Sequence, residues 1–355
     1  KQLENALLSS IEEDENNFDK KTKSLIENAT RSLQMRAIMP LSSWLSQLES
    51  LISTGEAISG KDKFVDWIQI NRLEGQDRDF GIYRHWLDPT IPFHETVLKK
   101  AHGVAITSAT LRDVNSPTYT HWNEQETLDS WQSAVQITGA LHLSNSAIFS
   151  IHESPFDYKN QTKILVINDV ARKNLASRGA AMASLMKTAG GGAIGIFTAI
   201  RRLKAIYPYM LEHLAKENIT LYAQHIDQMN IQTLLQLFRA DNDCCLIGTD
   251  AVRDGIDVPG QALQMIIYDR VPWPRADVLF KARAKWIGKN ELTDRLTRMK
   301  LRQAYGRLIR KANDKGVFIM LDSALPSRLT SAFPSEVSIQ RISLANAMFE
   351  IRKFL

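Results

Sequence analysis

The sequence predicts an α/β protein, a parallel sheet covered by helices on both faces and preceded by a helical segment. Two observations carry this. Up to about residue 95, apolar side chains such as Leu25, Leu33, Ile38, Leu41, Leu45, Leu48 and Leu51 recur every three or four positions, and no strand-like run interrupts them. From GVAITSATL (103 to 111) onward, short β-branched runs alternate with longer amphipathic stretches. That alternation of strand and helix argues for a parallel sheet whose strand ends carry the functional loops.

The expected strands are GAIGIFTAI (192 to 200), ITLYAQ (219 to 224), CCLIGTD (244 to 250), QMIIYDRV (264 to 271) and GVFIMLD (316 to 322). Helices are expected over about 201 to 217, 230 to 241, 276 to 287 and 291 to 312. GGG at 190 to 192 reads as a turn into a buried strand. Residues 112 to about 190, with Pro117, Pro155 and several polar runs, read as a linker into the second domain.

With 355 residues and 44% apolar side chains the chain can build ordinary cores for two or three domains. It has no run of eighteen apolar residues, and its first segment lacks the apolar stretch of a signal peptide and the Arg-rich make-up of a transit peptide, so no membrane partner and a cytoplasmic address are expected. Lys1 in place of Met suggests a piece of a longer protein. Cys244 and Cys245, the only cysteines, exclude a disulfide framework and a four-cysteine metal or iron-sulfur site, and read as packing residues at the start of a strand. No metal site is expected in this chain. The net charge of +5 is unevenly spread: residues 270 to 328 hold fifteen Lys or Arg against five Asp or Glu, which suggests a polyanionic partner unless it is simply a solvated face.

Gly55-Glu-Ala-Ile-Ser-Gly60-Lys61 has the spacing of a phosphate-binding loop, but Asp62 stands where a magnesium-holding hydroxyl belongs and no strand feeds it; it reads as a polar turn. No Asp-Glu-x-His run follows a strand. The stretch LRQAYGRLIR (301 to 310) is more informative. Gln303, Arg307 and Arg310 would share one face of a helix, and two guanidinium forks beside an amide suit a phosphoryl group. Gly306 within that helix would cost about 1 kcal/mol against Ala, so a close-approach reason is expected there.

Thr107-Ser-Ala-Thr-Leu111, then GTDAVRDGIDVPG (248 to 260), then QAYGRLIR (303 to 310) follow one another in this strand-rich background, with SPFDYKNQ (154 to 161) and GGGAIGIFTAIRRL (190 to 203) between them. In that order they resemble motifs III, V and VI of the C-terminal half of a DinG/XPD-type superfamily 2 helicase, the bacterial DinG branch in particular, over about residues 86 to 345. The resemblance implies two RecA-like motor domains in the intact protein, with ATP and Mg2+ between them and 5′ to 3′ DNA unwinding. Residues 1 to 85 would then be a helical arch-like segment, 86 to 111 the last part of the first motor domain, with GVAITSATL as its final strand, and 112 to 355 the second RecA-like motor domain. The phosphate loop, the Asp-Glu-x-His box and any iron-sulfur cluster would lie upstream, on a missing N-terminal motor domain that becomes this chain's partner. The chain alone would be inactive.

By the same resemblance, Arg307 and Arg310 reach the γ-phosphate beside Gln303, with Arg310 as the finger. Gly255 and Asp257 link nucleotide state to the DNA track, and Ser108 and Thr110 couple the two motor domains. Two departures stand out: Arg253-Asp254 replaces an aromatic-acidic pair, and Ala199-Ile200 replaces Ser-Tyr, leaving Thr198 as the hydroxyl for a DNA phosphate. A single-strand track needs cations and flat side chains. Thr198, Arg201, Arg202, Thr249 and Arg275 are the expected DNA contacts, while Trp273 and Trp286 read first as core residues and the stacking aromatic stays open. The competing reading is a nucleic-acid-binding RecA-like module without ATP turnover.

Overall fold

The computed structural model describes residues 19–53, 63–73, 76–113, 124–143, 147–241, 243–255 and 262–355. The loop at 55 to 61, Asp62 and Asp257 lie outside them. Two compact units divide the chain: Lys1–Pro89 with Ala276–Trp286, and Thr90–Arg275 with Ile287–Leu355.

In the first unit, α1 (Lys20–Leu33) opens on Asp19, whose carboxylate accepts from the Thr22 amide at 2.9 Å. A π-helical turn at Gln34–Ile38 then leads into α2 (Met39–Ser53). Pro40 explains the turn, because it has no N–H to give and crowds the preceding carbonyls, so the Met39 amide bonds back to Gln34 instead. The structure corrects the expectation that no strand precedes residue 95. β1 (Phe64–Leu73) and β2 (Gln76–Trp86) form an antiparallel hairpin, with Val65 opposite His85 and Trp67 opposite Tyr83. Alternation is the reason: Val65 is buried and Trp67 partly so, on the face where Leu87, Leu279 and Ala282 pack. The expected apolar stripe of the helices is not a core. Leu25, Leu41, Leu45 and Leu48 are all exposed.

The second unit is the α/β body. Its seven parallel strands are β3 (Thr162–Ile167), β4 (Ala193–Ile196), β5 (Thr220–Ala223), β6 (Cys244–Gly248), β7 (Met265–Tyr268), β8 (Gly316–Met320) and β9 (Ile339–Ile342), in the order β5-β6-β4-β7-β8-β3-β9. Alternate side chains of each strand feed two cores. Ile164, Ile194, Leu246, Ile266 and Phe318 point to one, which is closed by α5 (Ile231–Ala240) and α7 (Lys289–Tyr305). Leu165, Ala193, Cys245, Met265 and Val317 point to the other, closed by α3 (Leu175–Ala189), α4 (Ile200–Ala215) and α8 (Leu344–Phe354). A short helix α6 (Asp250–Gly255) follows β6. This doubly covered parallel sheet is the expected RecA-like architecture.

The expected strands at 192, 219, 244, 264 and 316 are all present within a few residues, and Gly190, Gly191 and Gly192, all at positive φ, make the turn into β4. Two readings are corrected. The region read as a linker contains β3 and α3. β3 is six residues behind a polar stretch, too short to show a period, and α3 is buried nearly all round, so its sequence shows no stripe. Its Gly179 is demanded by proximity, since a Cβ there would lie 2.6 Å from Tyr209 Cβ. Second, Gly103 to Thr107 is not a strand and pairs with none among the described residues. An isolated β-like run has no ladder to satisfy its backbone.

Candidate nucleotide and nucleic-acid site

The helix expected over 291 to 312 ends at Tyr305, so Gln303 lies on α7 whereas Arg307 and Arg310 lie on the turns after it. The single-helix face expected for the three is therefore not formed. Gly306 is the C-cap, at φ −64, and not a mid-helix residue. The turn beyond it is fastened from elsewhere. Asp314 accepts from the Arg310 and Lys311 amides, each at 2.8 Å, and the Gln161 side-chain amide donates to the carbonyls of Lys311, Ala312 and Asp314 at 3.2, 2.9 and 3.1 Å. Arg307 and Arg310 are both half-buried.

The segment holding Ser108 and Thr110 reaches the end of α7, where Ser108 shares a cavity with Arg302, Tyr305 and Gly306 that Gln303, Arg307 and Arg310 do not line. The Ser108 and Thr110 hydroxyls are 3.1 Å apart, in a tight turn where the Thr110 amide donates to Ser108 Oγ at 3.2 Å. Three residues further on, Asp113 takes two bonds from Arg298 of α7, and the Arg302 guanidinium donates to the Arg112 carbonyl. A cavity of about 630 Å³ opens between these parts, with Ser108, Arg112, Tyr158, Arg302, Tyr305 and Gly306 among its lining. Burial pushes the Arg302 guanidinium and the Tyr305 phenol towards their neutral forms. Among the described residues no group of three or more His, Cys, Asp or Glu side chains could hold a metal ion.

The expected DNA residues fall elsewhere. Thr198, Arg201 and Arg202 follow β4, Thr249 follows β6 and Arg275 follows β7, so three adjacent strands bring all five to the edge where the strands end. In open parallel sheets that edge carries the binding loops. Thr198, Arg201 and Arg275 are exposed. Thr249 is fixed by Gln224, whose Oε1 accepts from its amide at 2.9 Å and from its hydroxyl at 3.1 Å. Arg202 is instead committed to an ion-pair network: with Arg178, 1% exposed, it binds the buried Asp269. Trp273 and Trp286 are not core residues, being 38% and 48% exposed, and Arg328 lies over the Trp273 ring at 5.9 Å.

The strand-end edge is tied to α7 through α6. Asp250 binds Arg253 at 3.1 Å and Lys300 of α7 at 2.8 Å, so the residue after Thr249 is tied to the helix that leads to Gln303. Arg253, where an aromatic was expected, is buried and also pairs with Asp254 at 2.8 Å. Gly255 ends α6. The sequence reading missed Gln161, Gln224, Arg178 and Lys300. All act through hydrogen bonds or ion pairs to residues far away in sequence, which no spacing rule reveals; only Gln224, polar at the end of a strand, gave a local hint.

Residues 182–339 match the family model described as the helicase C-terminal domain. A protein of Mycobacterium tuberculosis (strain H37Ra) named ATP-dependent helicase DinG is 34% identical over 151 residues, 41% of this chain and 22% of that protein. One of Bacillus subtilis (strain 168) named 3′-5′ exonuclease DinG is 27% identical over 270 residues, 72% of this chain and 27% of that protein. A solved XPD helicase chain is 17% identical with a TM-score of 0.40, covering 51% of this chain and 35% of that one. The chain thus spans about a quarter of the curated relatives it matches. The resemblance read from the motifs is supported: residues 182–339 match the helicase C-terminal domain, and the chain is similar to part of the DinG helicases.

Proposed function

We propose that this chain is the second motor domain, with part of the arch and the end of the first, of an ATP-dependent 5′ to 3′ DNA helicase. The observation that carries the reading is the cavity that unites Ser108 with Arg302, Tyr305 and Gly306, because two motifs 200 residues apart then share one cleft. In this reading Arg310 is the arginine finger and Arg307 and Gln303 assist it, stabilising charge on the transferring γ-phosphoryl group of ATP. A missing N-terminal domain supplies the phosphate loop and the carboxylate that holds Mg2+, so the chain by itself does not hydrolyse ATP. Ser108 and Thr110 transmit between the domains. Gly255 and Asp257 report nucleotide state to a single-stranded DNA track built on Thr198, Arg201, Thr249 and Arg275, with Arg202 holding that edge in shape. The site of action in this reading is the cytoplasm; among the described residues no helix is long and apolar enough to cross a membrane.

The test is ATP hydrolysis by the protein of the full reading frame, with and without single-stranded DNA, for the wild type and Arg310→Ala. The expected result is DNA-stimulated turnover that falls about 10³-fold or more in the variant while DNA affinity holds. DNA binding without turnover in the wild type would favour the non-catalytic module instead.

A further inference from the structure

Beyond the residues already assigned to the DNA track, the edge where β4, β7 and β8 end holds an unusual concentration of arginine. Asp269, 1% exposed, accepts from Arg178 Nε at 2.8 Å, from Arg202 Nη2 at 3.2 Å and from Arg202 Nε. Asp322, equally buried, is bound by Arg172 at 3.0 Å and by the Val271 and Ala324 amides at 3.3 and 3.2 Å. Both carboxylates are thus fully engaged. Between Asp269 and Val271 stands Arg270. Its Nε is buried and has no hydrogen-bond partner, and its side chain makes no ion pair among the described residues. Four guanidinium groups therefore face two carboxylates.

An arginine seldom stays half-buried among like charges with nothing to hold, since burying a charge without a partner is costly. The physical strain is visible at the group itself: burial, then Arg202, Arg178 and Arg172, disfavour its charged form, with Asp269 the one opposing influence. Asp269 cannot satisfy it, being shared by two other arginines. What the site lacks is an acceptor from outside, carrying negative charge and several lone pairs. A phosphoryl oxyanion has both, and the planar guanidinium fork matches it.

The geometry points to an oxyanion seat at Arg270, with Arg202 and Arg172 around it, that takes a phosphodiester group of single-stranded nucleic acid. This rests on the proposed function, which places the track along the same strand ends. Arg270 directly follows β7, the strand that also leads to Arg275 and that pairs with β4, which Thr198 follows, so the seat lies among the strand ends the track already uses. Asp269 and Asp322 hold the surrounding arginines in place, and Arg270 is the member left to bind.

The experiment uses this chain, a fluorescent twenty-residue oligo(dT) and anisotropy at several NaCl concentrations, for wild type, Arg270→Ala and Arg270→Lys. Thermal unfolding of each in phosphate and in chloride at equal ionic strength runs alongside. The expected result is an affinity about ten-fold weaker for Arg270→Ala at low salt, with the slope of log affinity on log salt smaller by about 0.7, as for one lost single-strand phosphate. Arg270→Lys recovers part of the affinity, and the melting temperature of Arg270→Ala is unchanged or higher because a like charge has gone. Unchanged affinity and slope in Arg270→Ala, with the wild type binding the oligonucleotide, would overturn the seat and leave the DNA reading standing. A fall in melting temperature in chloride would overturn it too, as a structural role. A wild type that ignores the oligonucleotide but is stabilised by phosphate only when Arg270 is present would uphold the oxyanion seat, assign it to a small phosphate and sink the DNA reading.

Discussion

The side-chain amide of Gln161 lies 2.9 Å from the carbonyl oxygen of Ala312, across 151 positions of sequence. It donates to two more carbonyls of the same loop, and so a residue just before β3 sets the shape of the turn that carries Arg310. Gln161→Ala removes the donor from three carbonyl acceptors, of which the bond to Asp314 is buried. A stability loss of about 1 to 3 kcal/mol is expected by urea unfolding, and in the full protein a turnover loss larger than any loss of DNA affinity.

Arg178 and Asp269 are each 1% exposed, whereas Arg72 and Asp77 form a pair of similar geometry at 63% and 60% exposure. The two should differ sharply. Arg178→Met strands part of a buried carboxylate and should cost about 3 kcal/mol or more, while Arg72→Met should cost under about 0.5 kcal/mol. Equal losses in chemical denaturation would contradict the burial difference as the cause.

Two glycines of the candidate site make opposite predictions. A Cβ on Gly248 would lie 2.1 Å from Val252 Cγ2 and 2.8 Å from Gln224 Oε1, which holds Thr249. Gly248→Ala should therefore destabilise by about 1 to 3 kcal/mol and weaken oligonucleotide binding. At Gly306 the nearest described atom would be the Arg302 carbonyl at 3.3 Å, and φ is an ordinary −64. Gly306→Ala should leave the melting temperature within about 2 °C, and any effect should appear in turnover.

His225 follows β5 with φ +70 and is exposed, touching Thr249 Oγ1 only at 3.4 Å. Asn218, the other non-glycine residue in this region, is accounted for as a helix end, where the Ile219 amide returns to the Leu214 carbonyl. His225 sits in a tight turn in which the Ile226 and Asp227 amides return to the Ala223 carbonyl at 3.2 and 3.0 Å, and for a non-glycine residue the left-handed conformation there costs about 1 to 2 kcal/mol. His225→Gly should raise stability by about 0.5 kcal/mol after the extra chain entropy of glycine is counted. A drop on thermal unfolding would show that the imidazole contributes more than this geometry suggests.

Burial pushes the thiols of Cys244 and Cys245 up to about 12. A thiol whose folded pKa is raised favours the native state below its unfolded value of about 8.5 and loses that contribution as the pH climbs towards 12. The native protein should therefore be inert to a thiol reagent at pH 8 and lose stability progressively above pH 9. The Cys244→Ala, Cys245→Ala double variant should lose less on going from pH 8 to pH 10, measured by urea unfolding at both.

The body of the fold was legible where its strands are mostly apolar, as in β4, β6, β7 and β8, and where its turns carry glycine, as at 190 to 192; β9, with Gln340 and Arg341 between two isoleucines, was not. The hairpin at 64 to 86 was not, since apolar residues at 64, 65, 67, 68 and 70 fit a helical and an alternating pattern alike. The site divided the same way. Thr198, Thr249 and Arg275 could be placed on the strand-end edge because each closely follows a readable strand. That Arg202 would serve Asp269, or that Arg307 and Arg310 would leave the helix, depended on side chains remote in sequence and on a helix ending at Gly306 without a proline to signal it.

One feature of the chain path bears on how the protein can be cut. Because the first unit takes its residues from Lys1–Pro89 and again from Ala276–Trp286, the polypeptide changes units at 89, 275 and 286, and no single break separates the two. Removing everything before Thr90 would uncover the faces of Leu279 and Ala282 that Val65 and Leu87 shield. A truncation meant to isolate the sheet should therefore carry a sticky helix and self-associate unless residues 276 to 286 are replaced by a polar bridge. The chain path offers the sheet unit no clean seam.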